Sequence, residues 1–87
     1  NDIGSWKALY DIFNADKDGN IIRGLGKIMN GKDNLIHSNE RFTAILGASN
    51  LVVVNTKDAT LVVDKNDVED IKNLVSYLKN NKWNKIT

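Results

Sequence analysis

The chain contains no cysteine. That removes a disulfide framework, thiolate-bound zinc and a cysteine nucleophile together, so a small fold has no such staple to lean on. Histidine occurs once, at His37 beside Ser38. No partner stands at the spacing that metal ligation or nucleophile activation requires, and His37 reads as a polar strand position. The single methionine is Met29 and the chain opens on Asn1, which is the expectation for a piece of something longer. No apolar run approaches the roughly 18 residues of a membrane span and no basic-then-apolar leader opens the chain, so the expected setting is cytoplasmic, without a membrane partner. Charge of one sign is lacking too. Twelve Lys and Arg against eleven Asp and Glu leave a net charge of +1. The cationic side chains are scattered, and Trp6, Tyr10 and Trp83 read as packing groups rather than base-stacking platforms, so nucleic acid is not an expected partner.

What is present is one small domain of ordinary globular composition, 87 residues with 41% hydrophobic and 26% charged side chains. Ser5 suits an N-cap, and Trp6, Leu9, Tyr10 and Phe13 recur on one helical face, which predicts a helix over about residues 5–14. Residues 14–20, with Asp16, Asp18 and Gly19, form a turn that stops it. Apolar pairs at Ile21-Ile22, Ile28-Met29 and Leu35-Ile36 then follow at seven-residue offsets, separated by polar segments carrying Gly24, Gly26, Gly31 and Asn34. Each pair reads as strand, each separator as a turn, and the offset suggests stacked rungs. A coiled-coil heptad is disfavoured because each glycine would cost a helix about 1 kcal/mol. Residues 42–46 read as a further strand, and Leu51 to Val54 with Thr60 to Val63 as a hairpin. Val68, Ile71, Leu74, Val75 and Leu78 form an apolar stripe behind an Asn66/Glu69 capping box, predicting a helix over 67–79 that packs across the β layer around Leu74.

Two motifs bear on chemistry. Asn14-x-Asp16-x-Asp18-Gly19 matches the first half of an EF-hand loop, but its twelfth position is Leu25 where a bidentate Glu is required, so the segment reads as a turn and not a calcium site. Asp2, two residues before Gly4 and three before the helix cap Ser5, either places a carboxylate where metal and phosphate could meet at a helix N-terminus or belongs to a capped turn.

The string Asp2-Ile3-Gly4-Ser5-Trp6-Lys7-Ala8-Leu9 resembles a segment of the bacterial mannose-1-phosphate guanylyltransferases, the GDP-mannose pyrophosphorylases. Asp18-Gly19-Asn20-Ile21-Ile22-Arg23-Gly24 is similar to a turn of that family. So are Leu51-Val52-Val53-Val54-Asn55-Thr56-Lys57-Asp58-Ala59-Thr60-Leu61-Val62, where the family usually has Asp at the position of Asn55, and Val68-Glu69-Asp70-Ile71-Lys72. The Gly-rich nucleotide loop of the family's catalytic domain does not occur, so the resemblance implies a C-terminal part. It implies that the region after the first helix is a small left-handed parallel β-helix, so that with the two helices read from the periodicity the chain is expected to be α+β: an N-terminal helix, a short-stranded β-helix-like region and a C-terminal amphipathic helix. Residues 1–15 would close the nucleotidyltransferase domain, and 16–87 would form the β-helix-like domain. In the full-length enzyme, which takes GTP and mannose 1-phosphate to GDP-mannose and pyrophosphate, Asp2 would be half of a Mg²⁺ site. The fragment itself would hold no catalytic or cofactor-binding residue, be inactive alone, and form a homo-oligomer through the β region. The alternatives are another sugar-1-phosphate nucleotidyltransferase, or a free-standing β-helix interaction module without catalysis.

Overall fold

The structure, a computed structural model, describes residues 15–83. The helix expected over 5–14, Asp2 and the end of the tail lie outside the described residues. Within them the chain forms β1 (Ile21–Met29), β2 (Leu35–Leu46), β3 (Leu51–Asn55), β4 (Thr60–Asp64), a 3₁₀ helix (Lys65–Asp70) and α1 (Ile71–Asn80). The strands lie in the order β1-β2-β3-β4. The first three are mutually parallel and β4 returns antiparallel along β3.

Only residues 30–34 connect β1 to β2, although a crossover between parallel strands ordinarily needs a dozen residues or more. A straight β1 would carry the chain about 26 Å from Ile21 to Met29, and six residue steps could bring it back no more than about 21 Å. Yet Leu35 pairs beside Ile21. The strand must therefore bend, and it does so where the β1–β2 register breaks between Gly24 and Gly26. Gly24 sits at φ +97°, and a Cβ there would lie 2.0 Å from the Ser38 carbonyl oxygen. Each of the first two coils thus has two limbs. Residues 21–24, 35–38 and 52–55 stack as one, residues 26–29 and 43–46 as the other. The apolar pairs seven residues apart are the two limbs of one coil, and Gly24 and Gly26, expected in a turn between strands, lie inside a single bent strand.

Alternation of side chains puts Ile21, Leu35, Val52 and Val63 on one face of the first limb and Ile22, Ile36, Val53 and Val62 on the other. Ile36 and Val53 meet Ile45 of the second limb inside the coil, with Ile28, Ala48 and Leu51 against them. On the outer face Ile21, Leu35 and Val52 pack with Val54 and Val63. Each fully buried aliphatic contributes about 1.5–3 kcal/mol, so these two clusters supply most of the apolar stabilisation seen in the described residues.

Register between coils is fixed by two buried amides. Asn20 Nδ2 donates to the Gly31 carbonyl at 2.9 Å while its Oδ1 accepts from Asn34 N–H at 2.9 Å. Asn34 repeats the arrangement one coil on, donating to the Ala48 carbonyl and accepting from Leu51 N–H, both at 2.9 Å. Below the first rung Asp16 Oδ1 accepts from Asn20 N–H at 3.0 Å, closing the ladder at that end. The residues preceding the three rungs, Gly19, Asp33 and Asn50, all have positive φ, between 56° and 78° with the matched turn residues Asn30 and Gly47. The corners stack like the strands.

The expected hairpin forms, with Leu51 opposite Asp64 and Asn55 opposite Thr60. The C-terminal helix begins differently. Asp64 at the end of β4 caps it, its carboxylate accepting from Asn66 N–H at 2.8 Å. Asn66 therefore lies inside a 3₁₀ turn rather than acting as cap. Of the apolar stripe only Ile71 is buried, and Leu74, expected at the centre of the packing, is 43% exposed.

Replacing Asn34 by Ala leaves the Ala48 carbonyl and the Leu51 N–H without partners. The variant is expected to lose about 3 kcal/mol, at about 1–3 kcal/mol for each orphaned group. Urea unfolding checks it: the midpoint falls at unchanged slope.

Candidate functional site

The described residues offer surface rather than a catalytic cluster. No group of three or more His, Asp or Glu among them is placed to hold a metal ion. Asp16 is occupied as a turn former, since the same Oδ1 that caps the ladder accepts from Asp18 N–H at 2.8 Å. This is the local reason that the half EF-hand pattern folds as a corner. His37 stands on β2 between Arg23 and Val54, its partners across the sheet, as a half-buried strand residue. A depression over the corners is lined by Asp18, Ile28, Asn30, Gly31, Lys32 and Ser49. Its hydroxyl is engaged, Ser49 Oγ accepting from Lys32 N–H at 2.9 Å. Asp2 lies outside the described residues. No helix of the described residues is long and apolar enough to cross a membrane.

Among the described residues apolar surface remains uncovered in several places. On the outer face of the second limb Met29 and Leu46 are register partners, Leu46 being 73% exposed. Beside them β2 carries four residues, Asn39 to Phe42, opposite the single Leu25 of β1, and this enlarged bulge leaves Phe42 exposed to solvent. At the other end of the sheet Val62 is exposed on β4. Following it, Leu74 and Tyr77 stand nearly one helical turn apart on α1, with Tyr77 62% exposed. Trp83 N–H returns to the Leu78 carbonyl at 2.8 Å, leaving an exposed indole just beyond the helix end. Monomeric soluble proteins expose few large apolar groups in company, so these faces are the candidate interface of the domain.

One polar network ties the bulge to the hairpin. Ser38 Oγ donates to the Arg41 carbonyl, and Thr43 Oγ1 donates to the same oxygen at 3.3 Å. Asn55 Nδ2 donates to Thr43 Oγ1, and Thr60 Oγ1 donates to Asn55 Oδ1. The network gives Asn55 a structural task that the sequence did not reveal. Asn20 and Asn34 were likewise legible only as turn formers, although Asn-Ile-Ile and Asn-Leu-Ile recurring fourteen residues apart was the available signal.

The profile of the family described as the MannoseP isomerase/GMP-like beta-helix domain matches residues 27–78. The chain belongs to this family. The match covers both limbs of the second coil, the hairpin and most of α1. Among curated proteins the chain is 46% identical over 83 residues to a mannose-1-phosphate guanylyltransferase of Salmonella muenchen, covering 95% of this chain and 18% of that protein. It is 40% identical over 80 residues to the Klebsiella pneumoniae protein of the same name, covering 92% and 17%. Alginate biosynthesis protein AlgA of Pseudomonas aeruginosa is 35% identical over 78 residues, covering 90% and 16%. A crystal structure described as mannose-1-phosphate geranyltransferase from Thermus thermophilus superposes with a TM-score of 0.74 at 30% identity, over 91% of this chain and 24% of that one. The chain thus spans less than a fifth of the curated relatives, and it matches their C-terminal part.

At position 55 the network allows an acid as well as an amide. A carboxylate accepts from both Thr43 and Thr60, gaining two charge-assisted bonds and giving up only the long Thr43 bond to Arg41. Asn55→Asp is therefore expected to shift stability by less than about 1 kcal/mol, whereas Asn55→Ala loses about 2 kcal/mol. Chemical denaturation of both variants distinguishes a hydrogen-bonding role from a charge effect.

Proposed function

We propose that the chain is the C-terminal part of a cytoplasmic enzyme that joins mannose 1-phosphate and GTP into GDP-mannose and pyrophosphate. Within that enzyme, residues 1–15 end the catalytic domain, and residues 16–87 form a left-handed β-helix-like domain with a closing helix that packs and joins subunits. The observation that carries the reading is the 46% identity to a mannose-1-phosphate guanylyltransferase over nearly the whole of this chain. The Asp2-Ile3-Gly4-Ser5-Trp6 string supports it from the other end of the chain.

In this reading a phosphate oxygen of mannose 1-phosphate attacks the α-phosphorus of GTP and pyrophosphate leaves in line. Asp2 would supply one hard carboxylate oxygen to a Mg²⁺ ion, together with a ligand from the preceding domain. Bound there, the ion would offset phosphate charge. The described residues take no part in that chemistry. Their contribution is to hold the end of the catalytic domain on a rigid coil, and to bury the apolar groups of the β region against another subunit.

Two outcomes test the reading. The 87-residue chain alone, given GTP, mannose 1-phosphate and Mg²⁺, should release no pyrophosphate above a no-protein control. In the full-length protein Asp2→Asn should lower turnover by at least ~100-fold, the scale of several kcal/mol of lost charge stabilisation. Near-normal turnover of that variant would remove Asp2 from the site.

The module role has its own measurement. Sedimentation at tens of micromolar is expected to return a dimer or larger species through residues about 20–63. A monomer throughout would leave the exposed Met29, Leu46 and Phe42 without the assigned purpose.

A further inference from the structure

We infer that Asn30-Gly31 is a site of spontaneous covalent modification, at which the Asn30 amide is lost through a cyclic imide and the corner between β1 and β2 acquires an acid. The inference is independent of the proposed enzymatic activity. It starts from the asparagines themselves. The side-chain amides of Asn20, Asn34, Asn50, Asn55, Asn73 and Asn81 all donate hydrogen bonds. The Asn30 side chain takes part in none of the hydrogen bonds that hold the corner among the described residues, and it is exposed. The N–H of Gly31 is likewise outside them.

The residue that follows decides the rate of such a reaction. Its backbone nitrogen is the nucleophile, and any Cβ on it crowds the approach to the asparagine carbonyl carbon. Asn30 is followed by glycine, whereas two other exposed asparagines, Asn39 in the β2 bulge and Asn66 in the 3₁₀ helix, precede Glu40 and Asp67. Nor is that glycine replaceable, since a Cβ on Gly31 would lie 2.0 Å from the Ala48 carbonyl oxygen. The fold therefore enforces the neighbour that exposes Asn30 to attack. Left-handed backbone at Asn30, φ 56°, is also among the conformations that asparagine tolerates better than other side chains, which accounts for its presence there.

The step balances with water alone. Gly31 N attacks Asn30 Cγ, the new N–Cγ bond forms, the Cγ–Nδ2 bond breaks, and the amide proton leaves with ammonia. Water then opens the imide at either carbonyl, giving aspartate or its β-linked isomer. The isomer adds a methylene to the main chain between Met29, whose carbonyl accepts from Gly47 N–H at 2.9 Å, and Gly31, whose carbonyl accepts from Asn20. Both are contacts between successive coils, so the lesion falls on the ladder.

The experiment ages the folded chain in mildly alkaline buffer and follows tryptic peptide 28–32, released by cleavage after Lys27 and Lys32, by mass spectrometry with enzymatic methylation of β-linked aspartate as the probe. Conversion at Asn30 is expected to run several-fold faster than at Asn39 and Asn66, and to rise with pH because the attacking nitrogen must lose its proton. Asn30→Gly, which keeps the left-handed conformation as Gly47 does at the matched position of the next coil, should carry no β-linked aspartate in that peptide. Conversion at Asn30 no faster than at Asn39 or Asn66 overturns the proposal. So does a methylation signal in peptide 28–32 that survives Asn30→Gly.

Discussion

A buried amide has few ways to be satisfied, and the coil is built around that restriction. Asn20 and Asn34 each use both ends of the side-chain amide on the next coil, one end on a corner carbonyl and the other on an N–H at the entry to the next strand. Slipping a strand by one residue would orphan both ends, at about 1–3 kcal/mol each, and would also turn the apolar set to the opposite face. Hydrophobic contact alone would not impose this. Leu35, Ile36, Val52 and Val53 are interchangeable enough in size that several registers could be packed, and the polar ladder selects one.

With register held at the corners, the strands between them are free to differ in length. The spacing from the first coil to the second is fourteen residues at Ile21 and Leu35, but seventeen at Met29 and Leu46. The excess is expelled as the bulge from Asn39 to Phe42 and secured by Ser38 and Thr43 on the Arg41 carbonyl. The next corner then resumes the same conformation, with Asn50 at φ 64° where Asp33 has 59°. The surplus therefore appears as an exposed aromatic on the flank and not as a defect in the core.

The hairpin was readable because its two halves are β-branched runs with a polar loop between them, a pattern with one physical solution. The coil was half readable. Apolar pairs at seven-residue offsets signalled stacking, but periodicity cannot tell two strands from two limbs of one strand. Gly24 and Gly26 carry the same letters whether they make a turn or a bend between limbs. What separates the readings is the pairing of Ile21 with Leu35, a non-local fact. The helix start was misread for a related reason: Asn66 and Glu69 have capping-box spacing, while Asp64, one strand end earlier, reaches Asn66 N–H first. The stripe of α1 was placed correctly along the chain, yet amphipathicity does not say that a face is covered within the same subunit, and Leu74 is not buried. Function was legible only through strings shared with a family, because the described residues hold no reactive constellation for chemistry to be read from.

Among the described residues the ladder also has ends. Asp16 closes it with a carboxylate that has nothing to donate, and at the other side Leu51 donates its N–H to the last amide oxygen and has no side-chain amide to continue the pattern. Among the described residues, coil length thus goes with the number of such asparagines between Asp16 and Leu51. A fourteen-residue segment ending in another such asparagine would be read as one more floor, raising whatever is mounted on β4 and α1 by one inter-strand spacing, about 4.8 Å, without altering either end.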